Sequence, residues 1–571
     1  MARSAAIEQF FLSEYFAGKL TMKENFFRSM TWLHTWVGLL VCWVLLLIFF
    51  AGTLSYYRHD ISLWTKPELH QNVIQNYNTS KVESELSKAQ SYLGQHANDA
   101  RDWRINFPTD RKPYLSYSWQ TQPEEGQRRG KFIEHVAMQG LDNVITDVRQ
   151  SKGGNFFYRL HFDLHYMPAK IARWIVGFCT MFMLIALISG IVIHKRIFKD
   201  FFSFRRNKGS RSWLDAHNVS SVLALPYHLM ITYTGLVTLM AMYMPWAVIT
   251  AYEGDTKAFS QELRPSRVQV KPQGEAADTI ALTSLLPQVS ELLGNTPIRQ
   301  IVVSNPGDKN SRVNVYKDTG KTVTDRKTAI IFNAVDGTLL SKGIEPDSGV
   351  QNTHDTLIAL HTGRFSEPLL RLFFFICGVM GCAMIATGTL LWANKIRQKQ
   401  HNQINQGENP SFGLRLVEGL NLTFIAGLPL AASVFFYANR LLPIEMLNRA
   451  QWEANSFFIA LAAVAVVACF KRTLLVWRYV LALSGASLIA IPLLNALTSN
   501  SDLLSNINQA QWSLVGFDIM CVIIGLSILF ARTKLVGGQL KQPTARRAAT
   551  HRQNMKPPLL TQATAVARKG A

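Results

Sequence analysis

Long apolar runs separated by polar segments are the main pattern in this chain of 571 residues. Runs such as Val37–Leu54 and Ile171–Ile193 have the length of about 20 apolar residues that a helix needs to cross a bilayer. The pattern predicts eight transmembrane helices, at approximately 32–56, 170–194, 216–247, 367–393, 415–437, 455–470, 474–496 and 512–531. We therefore expect a polytopic α-helical membrane protein.

Two polar segments between the predicted spans have the pattern of small α+β modules. In the first, helical spacing over Thr79–His96 precedes strand-like pieces at Trp103–Phe107, Tyr114–Trp119 and Phe132–Val136. In the second, Thr279–Leu293 is predicted to be helical from about Ser284 onward, because Pro287 disfavours an earlier start. Strand-like pieces and a turn follow it at Ile298–Val303, Arg312–Tyr316, Ala329–Asn333 and Asp336–Gly337.

These patterns divide the chain into seven parts. They are an N-terminus with the first span (1–56), a first module (57–168), two spans around a basic loop (169–250), a second module (251–366), a fourth span (367–400), a four-span C-terminal extension (401–531) and a basic tail (532–571).

Composition supports a membrane protein and excludes several other classes. Apolar residues make up 48% of the chain and charged residues 17%, well below the roughly 25% charged residues of soluble domains. An ordinary soluble enzyme, a disordered chain and a fibrous repeat are therefore excluded.

The net charge of +21 is concentrated in short segments beside the spans. Seven basic residues and one acid lie in Lys195–Arg211, and nine basic residues and no acid follow from Arg532. The two polar modules are nearly balanced. This distribution indicates cytoplasmic basic segments and external modules, with both termini in the cytoplasm, rather than nucleic-acid binding.

The first four spans and the two modules form an internal repeat. His34 precedes Gly52 by 18 residues, and His217 precedes Gly235 by 18 residues. The second span is approached through His161 and contains Gly190, while the fourth is approached through His361 and contains Gly388. The order span, module, span is thus duplicated, whereas the C-terminal extension has no counterpart.

Histidines cluster in this duplicated part of the chain. Eight of the 14 histidines lie in or near the first four spans: His34, His161, His165, His194, His217, His228, His354 and His361. Ionisable groups in spans are costly and usually functional. Paired imidazoles on facing helices are typical of haem b, and glycines such as Gly38, Gly52 and Gly235 would let the macrocycle approach. Structural histidines, a zinc site and a proton relay are the alternatives.

The repeat predicts which histidines pair. We expect His34 with His217 near the inner face, and His361 with His161 or His165 near the outer face. His165 follows His161 by four residues, which places both on one helical face, so one of them suffices as a ligand. The iron ligands are accordingly predicted as His34, His217, His361 and His165, with His161 as the alternative. His228 could replace an inner ligand, and His194 lies at the inner boundary.

Several motifs resemble the PepSY-associated transmembrane family, which includes iron-regulated inner-membrane ferric-siderophore reductases of Gram-negative bacteria. They are Trp32–Gly38, Tyr158–His165, Gly190–Arg196, Ser212–Asn218, Leu225–His228 and Leu360–Phe365, within residues 20–400. The resemblance implies two PepSY modules in the periplasm and a bacterial inner-membrane protein with two haem b groups. It also implies outward electron transfer to a ferric-siderophore substrate.

The chain has no GxGxxG loop for a nucleotide, which favours an external electron donor such as quinol or a reductase. The leading hypothesis is therefore a dihaem oxidoreductase in contact with membrane lipid and without a nucleic-acid partner. Two alternatives remain: a non-enzymatic binding or regulatory membrane protein built on the PepSY modules, and a siderophore or metal transporter.

Overall fold

A computed structural model describes most of the chain. It covers residues 2–74, 77, 79–122, 130–138, 143–194, 210–263, 270–294, 296–318, 322–323, 329–343 and 349–536, with side chains in the first helix from Glu24 onward. Residues 195–209 of the predicted basic loop and most of the predicted basic tail lie outside the described residues.

Along the chain, the helices of the duplicated part lie before, between and after the strands of the sheet. They are α1 (Ala2–Ser55), α2 (Arg58–Trp64), α3 (Val82–His96), α4 (Gly153–Asp163), α5 (Ala169–Ile193), α6 (Ser210–Leu223), α7 (Leu225–Thr238), α8 (Met240–Tyr243), α9 (Trp246–Tyr252), α10 (Thr256–Leu263), α11 (Leu286–Leu293), α12 (Gly349–Thr362) and α13 (Pro368–Lys399). Short 3₁₀ turns lie at Pro67–Asn72, Thr79–Lys81 and Leu282–Leu285.

Where it is described, the C-terminal extension consists of helices joined by short connections, without strands. Its helices are α14 (His401–Asn405), α15 (Phe412–Asn421), α16 (Gly427–Leu441), α17 (Arg449–Phe470), α18 (Leu474–Ile489), α19 (Ile491–Thr498), α20 (Leu503–Asn508) and α21 (Trp512–Val536). A π-helical turn over Leu422–Ala426 joins α15 to α16.

Among the described residues, six helices are long and apolar enough to cross a membrane, and a bent pair can form a seventh span. The six are Glu24–Ser55, Ala169–Ile193, Pro368–Lys399, Phe412–Leu441, Arg449–Phe470 and Trp512–Leu535. The bent pair, α18 with α19, changes direction by 43°. The protein is therefore a polytopic helical membrane protein, and its described residues contain six to seven such helices where eight were predicted.

The difference lies in the third predicted span, 216–247, which is not one continuous helix. The chain breaks between α6 and α7 at Ala224, whose backbone departs from helical values. Pro226 is the second residue of α7, and a proline there lacks the N–H that would continue the preceding helix. A second break follows at Leu239. The proline thus explains the break between α6 and α7.

The two polar segments join in one antiparallel sheet. Its eight strands run in the order β4-β3-β2-β1-β5-β6-β7-β8. They are β1 (Asp102–Asn106), β2 (Ser116–Gln120), β3 (Phe132–Ala137), β4 (Val144–Ile145), β5 (Ile298–Ser304), β6 (Arg312–Lys317), β7 (Ala329–Asn333) and β8 (Leu339–Ser341). Each segment therefore contributes a four-stranded meander, and the halves meet where β1 pairs with β5.

The two halves also share a hydrophobic core. In the central pairing, Trp103 lies opposite Val303 and Ile105 lies opposite Ile301, and all four side chains are buried. Leu93 of α3 and Val289 of α11 belong to the same cluster. The segments predicted as separate modules therefore form one body, because a ladder of backbone hydrogen bonds and a common core connect them.

Candidate functional site

Two histidine pairs lie at opposite ends of the duplicated helices. In the distal pair, far from the sheet, the ring centres of His34 on α1 and His217 on α6 are 6.4 Å apart, with an angle of 69° between the rings. In the sheet-side pair, the ring centres of His161 on α4 and His361 on α12 are 6.0 Å apart, at 32°. Each pair takes one histidine from each repeat.

The distal rings are held by carbonyl groups of neighbouring helices. Nδ1 of His34 lies 2.8 Å from the carbonyl oxygen of Ala186 on α5. Nδ1 of His217 lies 2.8 Å from the carbonyl oxygen of Met384 on α13. A carbonyl can only accept a hydrogen bond, so each Nδ1 carries the proton and donates it.

The sheet-side rings are held in the same way. Nδ1 of His161 donates to the carbonyl of Ile48 on α1 at 2.8 Å, and Nδ1 of His361 donates to the carbonyl of Ile231 on α7 at 3.2 Å. Within the described part of the chain, no hydrogen bond involves Nε2 of any of the four rings. This tautomer leaves each Nε2 lone pair available, as a neutral histidine needs in order to bind a metal.

A glycine follows every one of these carbonyls by four residues, and the imidazole packs on it. A Cβ atom at Gly190 or Gly388 would lie 3.2 Å from Cε1 of His34 or His217, respectively. At Gly235 it would lie 3.1 Å from Cε1 of His361, and at Gly52 2.7 Å from Nδ1 of His161. The glycines therefore make room for the rings. Gly38, predicted to serve the same purpose as Gly52, has nothing within 4 Å of its Cβ position.

Three hydroxyl groups next to these glycines were missed by the sequence analysis. Ser189, Thr234 and Thr387 each precede one of the glycines, and their oxygens lie 3.3, 3.2 and 3.4 Å from Nδ1 of His34, His361 and His217, respectively. The fourth site has Ala51 in this position. The recurring hydroxyl–glycine dipeptide was the available sequence signal.

The two pairs are well separated along the helices. His34 and the carbonyl of Ile48, which belong to different pairs, are 14 residues apart on α1, which is roughly 21 Å at 1.5 Å per residue. His217 and Ile231 have the same spacing in the second repeat. In a hydrocarbon core about 30 Å thick, the pairs would lie toward opposite faces.

The pair geometry fits the axial ligands of a haem iron. With metal–nitrogen bonds of about 2.0 Å and ring centres about 1.2 Å beyond each nitrogen, two axial imidazoles have centres roughly 6.4 Å apart. The distances of 6.0 and 6.4 Å match this value. His34, His217, His161 and His361 could therefore hold two haem groups.

A tetrahedral metal site has no such support in the described residues. Across the described ranges, no three His, Cys, Asp or Glu side chains gather in a way that could hold a metal ion. Among the described residues, the four histidines of the site meet in two pairs.

His165 does not lie beside His361. The expectation that His161 and His165 share a helical face is wrong, because α4 ends at Asp163 and Leu164 adopts a left-handed conformation (φ 51°). The His165 ring instead stacks on Phe458 at 5.3 Å, and its Nε2 lies 3.2 Å from the side-chain amide of Gln451. His165 therefore contacts the C-terminal extension, and His161 occupies the position in the pair.

His228 and His194 belong to neither pair. His228 is fully buried on α7, with its ring 6.3 Å from that of Phe49, and neither of its nitrogens has a hydrogen-bond partner among the described residues. His194 directly follows α5, and its buried Nδ1 likewise has no partner there. The structure brings together four of the seven predicted site histidines.

The fold and the site define a class: a polytopic helical membrane protein in which a duplicated unit places one histidine pair at each end of its helices. Residues 31–395 match the family model described as the PepSY-associated TM region. The chain belongs to this family, and the matched region contains all four paired histidines.

An uncharacterized protein of Pseudomonas aeruginosa is a relative of this chain. The two are 24% identical over 315 residues, which cover 52% of this chain and 75% of the relative. The match therefore extends over most of the relative's length.

Proposed function

We propose that this protein is a dihaem membrane oxidoreductase that passes electrons across the bacterial inner membrane to a ferric-siderophore on the sheet side. The observation that carries the proposal is the presence of two histidine pairs at opposite ends of one helical unit, each with its Nδ1 atoms donating to backbone carbonyls. A bound haem would supply a one-electron redox centre at each pair.

The chain's own residues would prepare these two positions. The carbonyls of Ala186, Met384, Ile48 and Ile231 fix the tautomer and direction of the four imidazoles. Such hydrogen bonds from the second ring nitrogen also raise the basicity of the coordinating nitrogen. The glycines permit close approach of helix and ring. The polypeptide would thus meet the positioning requirements before any cofactor binds.

The substrate and the location are supported by the family resemblance. Iron-regulated members of the family suggest a ferric-siderophore as the electron acceptor, with the two halves of the sheet as PepSY domains in the periplasm. An external donor, quinol or a reductase, would reduce the distal side. Among the described residues, the hydrogen bonds that hold the four paired rings come from the duplicated part and not from the C-terminal extension.

The proposal is tested by optical spectroscopy of the full-length protein purified after haem supplementation. We expect a Soret band and two haems per chain. His217→Ala or His361→Ala should each remove one haem, and the double variant both. His165→Ala and His96→Ala, outside the pairs, should retain two.

Reduction of a ferric chelate by the prereduced protein, monitored in the same preparations, tests the activity. Wild type should be reoxidised by the chelate, whereas the double variant should show no transfer. Absence of haem from correctly folded wild type would refute the proposal, as would loss of one haem in His165→Ala with none lost in His361→Ala.

A further inference from the structure

A large cavity lies between the sheet, α2, the start of α13 and the C-terminal helices. Its volume is about 1440 Å³, larger than the roughly 300–1,000 Å³ of ordinary small-molecule pockets. Both the duplicated part and the C-terminal extension line it, for example through Arg58, Arg111, Leu488 and Gly516. The cavity is separate from the histidine pairs, since none of the four rings is among its lining residues.

The wall beside the sheet carries a cluster of positive charge. Arg58, Arg111, Lys112 and Arg364 surround His59, and burial together with these four charges lowers the pKa of His59 to about 3. Lys112 is paired with Glu134, and Arg371 nearby is paired with Asp60 at 3.3 Å.

Two arginines of this cluster, Arg58 and Arg111, form no salt bridge with a carboxylate among the described residues, although Asp60 and Asp110 lie near Arg111 and also line the cavity. The guanidinium of Arg58 lies over the ring of Tyr158 at 4.4 Å. Arg111 donates at 3.0 Å to the backbone carbonyls of Gly363 and Ser366. Half-buried guanidinium groups that are not held in a salt bridge are suited to bind an anionic group.

The opposite wall is apolar and belongs to helices with transmembrane character. Leu488 of α18 and Gly516, Phe517 and Ile524 of α21 line it. A Cβ atom at Gly516 would meet nothing within 4 Å, so this wall borders open space. Trp512, at the start of α21, also lines the cavity and is 65% exposed. Tryptophan at a helix end is typical of the membrane–water interface, which places the opening at the level of lipid head groups.

We propose that this cavity binds an anionic phospholipid, with the head group beside Arg58 and Arg111 and an acyl chain along α18 and α21. The two walls match the two parts of such a molecule, because guanidinium groups bind phosphate and an apolar wall packs against an acyl chain. The bound lipid would connect the duplicated unit to the C-terminal extension. The proposal is independent of haem binding.

The test is native mass spectrometry of the full-length protein in detergent with three probes. These are phosphatidylglycerol, phosphatidylethanolamine with the same acyl chains, and glycerol phosphate. We expect retention of one phosphatidylglycerol with about tenfold preference over phosphatidylethanolamine, equivalent to about 1.4 kcal/mol. The soluble head-group analogue should not compete, because it lacks the chains.

Two variants address the two walls, each with a matched control. The double substitution Arg58→Gln with Arg111→Gln should weaken phosphatidylglycerol binding about tenfold or more, while Arg415→Gln, an exposed arginine on α15, should not. Gly516→Trp should block the apolar wall and reduce binding of the lipid, whereas Gly516→Ala should leave it unchanged.

Three results would overturn the proposal. They are equal binding of the two lipids, unchanged binding in both wall variants, and full competition by glycerol phosphate, which would instead indicate a soluble anionic ligand. If the double arginine variant does not fold, the comparison of Gly516→Trp with Gly516→Ala decides alone.

Discussion

Each paired histidine is fixed by two neighbours on an adjacent helix: a carbonyl that accepts its Nδ1 proton and a glycine four residues later that leaves space for its ring. At Gly52 the space is tightest, because an added Cβ would lie 2.7 Å from Nδ1 of His161. Contacts this short cannot be relieved by rotating the ring without breaking its bond to Ile48. The glycine and the hydrogen bond therefore act together.

This arrangement predicts the effect of Gly52→Ala. The methyl group should displace the His161 ring, and the haem content under the proposed function should fall by about half, because only the sheet-side pair is affected. Haem absorbance per chain measures the change. Gly38→Ala on the same helix, with nothing within 4 Å, is the control and should retain the full content. Equal losses in both variants would contradict the role assigned to Gly52.

The lowered pKa of His59 predicts how the free energy of unfolding depends on pH. Burial, followed by the charges of Arg58, Arg111, Lys112 and Arg364, lowers its pKa from 6.5 to about 3. The unfolded chain therefore binds a proton below pH 6.5 that the folded protein does not take up until near pH 3. Folding stability should fall by about 2 kcal/mol between pH 7.5 and pH 5 from this group.

This contribution is measured by unfolding His59→Gln and wild type in detergent at pH 7.5 and at pH 5. The free energies of unfolding of the two proteins are compared at each pH. The variant should lose less stability on acidification than wild type does. His96→Gln, at an exposed position, should behave as wild type. The assignment would be contradicted if the free energy of unfolding fell by the same amount from pH 7.5 to pH 5 in His59→Gln as in wild type.

At the scale of elements, the periodicity of the sequence predicted where most strands lie, but the sequence did not predict where the helices end. The alternating residues predicted six strand-like pieces, and β1, β2, β3, β5, β6 and β7 lie at these places. The short edge strands Val144–Ile145 and Leu339–Ser341 were missed, because two or three residues carry no recognisable alternation. The end of α4 at Asp163 was also missed, since a left-handed leucine has no sequence signal, and this changed His165 from a predicted ligand to a contact of α17.

The proximity of His34 to His217 could be inferred from the 18-residue spacing shared by the repeats. For His361 the sequence left His161 and His165 open as partners, and the structure places His161 beside it. The carbonyl acceptors could not be predicted from the sequence, because every residue has the same backbone carbonyl. Only the packing of the helices selects Ile48 or Met384. Haem binding itself stays a prediction.

The C-terminal extension is fastened to the first half by buried polar groups. Glu453 of α17 accepts from Arg449 at 2.6 Å and from Asn439 at 2.8 Å with one oxygen, and from Ser151 at 2.8 Å with the other. Arg449 and Glu453 are almost completely buried. Ser151 precedes α4, so this network links the extension to the helix that carries His161.

Removal of one partner should therefore be costly. Glu453→Ala leaves the Arg449 guanidinium buried without its carboxylate and should reduce the free energy of unfolding by about 3–5 kcal/mol. The double variant Arg449→Met with Glu453→Met should lose less, because no charge remains unpaired. Denaturant or thermal unfolding in detergent measures both, and Glu445→Ala, at an exposed position, is the control. A single variant as stable as the double would contradict this account.

At the scale of the whole molecule, the separation of the histidine pairs by roughly 21 Å along α1 predicts directional transfer across the bilayer. Proteoliposomes with a trapped soluble reductant should reduce an external ferric chelate when the haem-loaded protein is present. His217→Ala should abolish this transfer while leaving the sheet-side haem spectrum intact, because it removes a ligand of the distal pair alone. Unchanged transfer in His217→Ala would show that the distal pair is not on the route.

The junction of β1 with β5 has a consequence for the origin of the duplicated unit. A protein consisting of one repeat would present β1 as an open edge, and open edges pair readily with another chain. Two identical copies joined along that edge would bring together two equivalent histidines at each end of their helices, one from each subunit. We therefore expect that the single-repeat ancestor assembled as a symmetric dimer, and that fusion of its genes later allowed the two copies to diverge.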